Sequence, residues 1–421
     1  MTAQIYHLSN GVRVVIDEVP HTQTAAVGMY FTVGTRNEDK KNNGVAHFLE
    51  HMMFKGTKKR GVGQIDREAA DMGADVNAHT GHESTCYYMT GMADDTPAMI
   101  DILSDMVCHA TLSKKEMDIE RGAVISEIRQ HKDDLERFIF DQALRVAYPG
   151  QSAGAAVLGS EKKIKSMSQK TLKDFKDSHY HAGNLIVSVA GNVKALDVLR
   201  TLEITLKDMP RGVPSVVKEA VYKGDSLHRS AGSEHIHLIL QFNSCAALNP
   251  KSLSMDVLGD ILGGGPTSRL FQAVREKRGL VYGISAENSP DIDDGLFQIY
   301  MQASKKKLKL AVPLICDELR KAAQEGFTAQ EMKRAKASWR TSFATSANSI
   351  RGRMLSAAED LHYFGRIPAI EEHLQDVDKN VTLESIQAAA REIFSRKPSV
   401  ITIGPGKSPV CPEDVVRALS L

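Results

Sequence analysis

Ser113-Lys-Lys-Glu116-Met117 and Thr328-Ala-Gln-Glu331-Met332 stand 215 residues apart, Glu116 to Glu331, and each carries the same helix-start signature. In such a capping box the Ser or Thr oxygen and the Glu carboxylate satisfy orphan N–H groups of the first turn reciprocally. Two further pairs repeat at nearly the same offset. YYMTGMADDTPAMIDILSDMV from Tyr87 and IYMQASKKKLKLAVPLICDEL from Ile299, 212 apart, each read as a strand, a polar turn and an amphipathic helix. Thr171-Leu172 and Thr382-Leu383, 211 apart, each open a helix that runs into a β-rich segment, LIVSVAGNV from Leu185 and SVITIGPG from Ser399. Three matches at almost one offset predict a duplicated domain. Between the copies, DMPRGVPS from Asp208 holds Pro210, Gly212 and Pro214, which break regular structure. The expected division is a domain at 1–209, a linker at 210–218 and a domain at 219–421. Each half mixes short alternating strands (VVIDEV near Val14, AAVGMYFTVG from Ala25, HIHLILQF from His235) with long amphipathic helices, without strict alternation of the two. That pattern predicts an α+β fold of two homologous half-chain domains, each a largely antiparallel sheet packed with helices.

Composition narrows the function classes. The 421 residues are 42% hydrophobic and 25% charged, which fits a globular protein and excludes a disordered or fibrous chain. Lys and Arg total 53 against 52 for Asp and Glu, so no global charge draws the chain to nucleic acid or to a membrane, and neither is expected as a partner. The five cysteines form no C-x-x-C motif and read as reduced thiols. The start, MTAQIYHLSNGVRVVIDEVP, reads as strand, Asn10-Gly11 turn and strand rather than as a leader, and no run approaches 18 apolar residues. A cytoplasmic protein of bacterial type is the expectation.

The sharpest local signal is GVAHFLEHMMFKGT, residues 44–57. Val45, Phe48, Leu49, Met52 and Met53 recur at the spacing of a buried helix stripe. At about 100° per residue, His47, Glu50 and His51 then share the opposite face. Two imidazoles at i and i+4 can converge on one ion, and neutral imidazole is a favoured zinc donor. Glu50 precedes the second His by one residue, so it stands beside the coordination sphere, placed to take a proton from water that the cation has acidified. This is H-x-x-E-H, the inverted zincin motif. A third protein ligand is still required. Candidates lie on the helix after Ser113, where Glu120 and Glu127, two turns apart, share one side; spacing alone does not choose between them.

HFLEHMMFKGT, followed 76 residues after His51 by the Glu of ERGAVISEI, resembles the pitrilysin-type (inverzincin) zinc metallopeptidases, the group that contains mitochondrial processing peptidase and insulin-degrading enzyme. The resemblance implies a processing-peptidase-like metallohydrolase fold, one zinc ion per chain, Glu127 as third ligand and Glu120 as a supporting acid. It extends to GADVNAHTGHESTCYY (73–88), where family members pair substrate backbone as an added strand at the positions of Asn77, Ala78, His79 and Thr80. In the second half, ILGGGPTSRLFQAVREKRGLVYGISAE (261–287) matches the segment whose Arg and Tyr face the substrate carbonyl, here Arg275 and Tyr282. Both are hydrogen-bond donors suited to a developing oxyanion. The Gly263–Gly265 run lacks the spacing of a phosphate loop, so no nucleotide is expected.

The implied activity is a zinc-dependent endopeptidase that hydrolyses extended peptides, with Glu50 as general base. The 215-residue offset sets Ser342 opposite Glu127 and Ala335 opposite Glu120, so the second half carries no metal site. Family architecture implies a chamber closed by two chains. Because metal motif and Arg/Tyr pair coexist here, the chain resembles bacterial homodimeric relatives of the processing peptidase β subunit, with Arg275 and Tyr282 serving the partner's zinc; a heterodimer is the other arrangement. Arg137 and Asp141 occupy positions where the processing subunit reads a substrate arginine with acids, and only one is acidic here, which speaks against arginine-directed presequence cleavage and puts a broader peptide-clearing role on at least an equal footing. The competing reading is an inactive structural or assembly subunit of the respiratory core-protein type.

Overall fold

The computed structural model describes residues 3–420. Its strands are β1 (Gln4–His7), β2 (Arg13–Glu18), β3 (Thr24–Phe31), β4 (Asp75–Thr80), β5 (Thr85–Met92), β6 (Leu185–Gly191), β7 (Leu227–Ser230), β8 (Ile236–Asn243), β9 (Ile284–Pro290), β10 (Gly295–Ala303) and β11 (Ser399–Gly404). They form a six-stranded sheet of order β1-β2-β6-β3-β5-β4 and a five-stranded sheet of order β7-β11-β8-β10-β9. All neighbours are antiparallel except β2–β6 and β7–β11. Setting β2 against β7, β6 against β11 and β3 against β8 shows one topology used twice, with β1 an addition to the first copy. The α+β class and the duplication stand.

The helix starts refine the repeat. At Thr328 the capping box closes: the Glu331 N–H donates to Thr328 Oγ1 at 3.2 Å and the Thr328 N–H to Glu331 Oε2 at 2.8 Å. No such reciprocal pair forms at Ser113 among the described residues. There Leu112 takes a left-handed φ of 47° and Ser113 lends the helix Lys114–Asp133 only its carbonyl, to Met117 at 2.9 Å. The Thr-Leu match also slips. Ser168, not Thr171, caps the helix Gln169–His179, whereas Thr382 does cap Leu383–Phe394, so the true counterparts are 214 apart.

The compact units are drawn differently from the two sequence halves. One comprises 1–130, 155–218 and 344–369; the other comprises 131–154, 219–343 and 370–421. The reason is two helices with the same job, 215 residues apart at their first residues. In the first unit, Met354, Ala357, Ala358 and Leu361 of Ile350–Phe364 cover a sheet face formed by Val15, Ala26, Tyr30, Ile186 and Ala190. In the second, Phe138, Ile139 and Ala143 of Leu135–Ala147 cover Ile239, Ile401 and Ile403. The central strands of each sheet are thus buried on both faces, and their outer cover comes from the opposite half of the sequence. The segment 210–218 has no regular structure but is tied to the first unit: Asn184, fully buried, accepts from the Ser215 N–H at 2.7 Å and donates to Ser215 Oγ at 2.8 Å.

Candidate metal centre and active site

The motif helix runs from Val45 to Met53, and its stripe of Val45, Phe48, Leu49, Met52 and Met53 is wholly buried in the first unit's core. Burial of that stripe turns His47, Glu50 and His51 to the other side. The helix is entered through Gly44 at φ 95°, where a Cβ would meet Gly159 Cα at 3.0 Å, so both backbone angle and space demand glycine. Its first amides are held by a side chain from outside the helix. Glu38 Oε2 accepts from the Gly44 N–H at 2.9 Å and from Asn43 Nδ2 at 2.9 Å, and Oε1 accepts from the Ala46 N–H at 2.8 Å. A carboxylate there complements the helix dipole. Burial pushes its pKa up to about 7, against the pull of these three donors and of Lys163.

Across from the motif helix, Lys114–Asp133 presents Glu127 to both imidazoles. Its carboxylate oxygens lie 3.6 Å from His47 Nε2 and 3.4 Å from His51 Nε2, and the three donor atoms fall within 4.8 Å of one another. Zinc bonds of about 2.1 Å at tetrahedral angles put neighbouring donors about 3.4 Å apart, so this donor set fits a zinc ion. The two imidazoles hold the Glu127 carboxyl far below its usual range, His47 first and then His51, against its burial. Among the described residues no second group of His, Cys, Asp and Glu is placed to hold an ion.

Glu120, one of the two acids that spacing left open, sits behind the triad. Its Oε1 is 2.8 Å from His51 Nδ1 and its Oε2 is 2.8 Å from Lys55 Nζ. The His51 hydrogen bond lowers the Glu120 pKa despite partial burial, with Lys55 adding to it. At His51 burial opposes protonation, but Glu120, Glu127 and Glu50 outweigh it and raise the pKa to about 9. Glu50 shares the helix face and stays out of the triad. Thr80 Oγ1 donates to Glu50 Oε2 at 2.5 Å.

That threonine ends β4, the edge strand of the first sheet, which pairs with β5 along one side only. Asn77, Ala78, His79 and Thr80 are therefore on a sheet edge, as the sequence reading expects, with Asn77 and His79 exposed and Ala78 and Thr80 partly buried. Arg275 and Tyr282 belong to the second unit. The structure brings these two together: Arg275 Nε donates to the Tyr282 carbonyl at 3.1 Å, while the Tyr282 side chain stands 85% exposed. Within the Gly263–Gly265 run, Gly263 serves packing, since a Cβ on it would lie 2.0 Å from Ala286 N on β9, while Gly265 takes a φ of 122°.

Three partners escaped the sequence reading: Glu38, Lys55 and the hydroxyl of Thr80. Glu38 lies six residues before Gly44, outside the three-residue spacing of a capping box, so no local rule signals it. Its loop is anchored by Arg36, which is 3% exposed and pairs with Glu83 at 2.6 Å, and by the Arg36 N–H on the His82 carbonyl at 2.9 Å.

Residues 13–161 match the family model described as insulinase, peptidase family M16, and residues 166–338 match that of the peptidase M16 inactive domain. An uncharacterized zinc protease of Rickettsia felis is 31% identical over 402 residues, covering 95% of this chain and 97% of its own. One from Bacillus subtilis is 28% identical over 400 residues, covering 95% and 98%. Among solved structures, a protein titled peptidase M16 inactive domain from Pseudomonas fluorescens superposes with a TM-score of 0.89 at 20% identity, covering 97% of this chain and 99% of its own. A protease from Helicobacter pylori superposes with a TM-score of 0.86 at 20% identity, covering 96% and 99%. These two show the shared fold. With an inverted zincin helix, a distant glutamate on both imidazoles and matches along most of its length, the chain belongs to the M16, or pitrilysin-type, zinc peptidase family.

Proposed function

We propose that this chain is a zinc-dependent endopeptidase that hydrolyses extended peptides inside a dimeric chamber, with one zinc ion per chain held by His47, His51 and Glu127. Bound there, zinc supplies a Lewis acid for the scissile carbonyl and brings the pKa of water down to about 7. Glu50 takes the proton of the attacking water and passes it to the leaving amine, oriented by the Thr80 hydroxyl. Glu120 accepts from Nδ1–H of His51, which leaves Nε2 as the donor atom. The substrate main chain pairs with the free edge of β4 at Asn77, Ala78, His79 and Thr80, so recognition reads backbone more than side chains. In the dimer, Arg275 and Tyr282 of each chain donate hydrogen bonds to the oxyanion developing at the other chain's zinc.

The observation that carries this reading is the convergence of two imidazole nitrogens on one carboxylate at 3.4 and 3.6 Å, with Glu50 alongside but outside the set. The names of the relatives support it. Metal analysis and turnover of quenched peptides test it: His51→Ala loses zinc and activity together, whereas Glu50→Gln keeps zinc and loses activity. A chain that binds no zinc and cleaves no peptide supports a structural subunit instead. A homodimer predicts a solution mass near twice 46.1 kDa, and a chain that stays monomeric until another subunit is added favours the heterodimer. No helix among the described residues is long and apolar enough to cross a membrane. A cytoplasmic location is part of the proposal.

A further inference from the structure

In the second unit a cavity of about 580 Å³ is lined by His235, Arg275, Tyr282, Gln302, Ser304 and Lys307, with apolar and glycine neighbours and no carboxylate. Two cations are tethered over it by a single hydrogen bond each, Arg275 Nε to the Tyr282 carbonyl at 3.1 Å and Lys307 Nζ to the Gly279 carbonyl at 3.0 Å. A guanidinium carries five N–H donors and an ammonium three, so Arg275 keeps donors beyond its tether and the oxyanion contact proposed above, and Lys307 keeps two for a ligand. Arg275 is set there by a turn of π-helix, Phe271–Glu276, in which the Lys277 N–H reaches back to the Gln272 carbonyl at 3.1 Å. A π turn re-aims the side chains that follow it and recurs at functional sites.

Basic residues outnumber acids in the sequence around the lining residues. Lys277, Arg278, Lys305, Lys306 and Lys309 are all exposed nearby in sequence to the lining residues, against the acids Glu234 and Glu276. The helix Lys305–Gln324 starts at Ser304, whose side chain does not cap it, so the positive end of that helix adds to the same field. In a chain of net charge +1, the cavity itself is thus lined by two cations and no carboxylate. Such a concave, cation-lined site selects anions, and a guanidinium matches a carboxylate in shape.

We infer that this cavity binds a carboxylate of the peptide substrate, so that the chain prefers peptides bearing an acidic side chain or a free C-terminal carboxylate where they reach it. That the ligand is a peptide rests on the peptidase reading; the charge preference rests on the cavity. The test is equilibrium binding of fluorescent extended peptides to the full-length Glu50→Gln chain, read by anisotropy. One pair of peptides differs by Glu against Gln, and another by free against amidated C-terminus. The expected result is about tenfold tighter binding of the charged member, the worth of about one charge-assisted hydrogen bond. The pair that shows it identifies the source of the carboxylate. Lys307→Glu should abolish the preference while the neutral peptides bind within about twofold of before. Where Lys307→Glu loses its helical circular dichroism, Lys307→Gln is read by the same criterion. Equal affinity within both pairs, or a preference that survives the Lys307 variants, overturns the inference. Because binding is measured without turnover, a wild-type chain that cleaves nothing overturns the peptidase reading and leaves this result standing.

Discussion

Thr80 holds the carboxylate of Glu50 through a 2.5 Å hydrogen bond, so the last residue of an edge strand orients the acid that the motif helix places beside the candidate ligands His47 and His51. Neither residue enters the triad. Thr80→Val keeps the β-branched shape and removes the hydroxyl. A hydrogen bond to a charged group is worth about 1.5–3 kcal/mol, so kcat should fall by about tenfold or more. Zinc content should stay at the wild-type level. Steady-state kinetics with metal analysis checks this, and an unchanged kcat removes Thr80 from the mechanism.

Glu120 touches His51 on the side away from the triad, at 2.8 Å. Its removal by Glu120→Ala frees the imidazole to rotate and to change tautomer. Partners of this kind are worth about 10–100-fold in metal affinity. Competition against a chromophoric chelator should show zinc affinity falling by that factor, with the folded circular dichroism retained. Glu120→Asp, too short to span the gap, should behave like the alanine variant.

Glu38 sets a pH dependence of stability. Its pKa of about 7 in the fold lies above the ordinary 4.5, so the folded chain keeps a proton that the unfolded chain has released. The contribution is fully present below about 4.5 and is lost as pH rises through 7. Glu38→Gln cannot ionise. Urea midpoints between pH 5 and 8 should therefore decline less steeply in the variant than in the wild type. The variant should also be less stable throughout, since its amide N–H₂ faces a backbone donor where an acceptor is needed, at a cost of about 1–3 kcal/mol. Parallel slopes would disprove the assignment.

Arg353 and Asp17 form a two-pronged pair, Nε to Oδ2 at 2.6 Å and Nη2 to Oδ1 at 3.0 Å, with Asp17 buried. It fastens the helix Ile350–Phe364 to β2. Breaking a buried pair from one side costs about 3–5 kcal/mol because the other charge is stranded. Asp17→Ala should lower stability by about that amount, and Asp17→Ala with Arg353→Met should recover much of it. Denaturant titration of the two single variants and the double variant measures the coupling.

Much of this was legible in local pattern. The period of Val45, Phe48, Leu49, Met52 and Met53 dictates a helix with one buried face, and a helix so oriented must group His47, Glu50 and His51 on the other. Alternation in the strands and the near-constant offset between copies likewise disclose an α+β duplication. These properties depend on neighbours within about two turns or one strand, and the backbone period converts them directly into direction.

What only the tertiary structure decided are the pairings between distant segments. Glu120 and Glu127 both lie on the right side of their helix, and geometry alone sends Glu127 to the two Nε2 atoms and Glu120 to His51 Nδ1. Glu38 caps a helix six residues away through a loop no capping rule describes. The helices Leu135–Ala147 and Ile350–Phe364 announce an apolar face but not which sheet it covers, and each covers the one built by the other half. Hydrophobic burial is non-directional and accepts any apolar surface of the right shape, so the choice of partner belongs to the packed whole rather than to the segment.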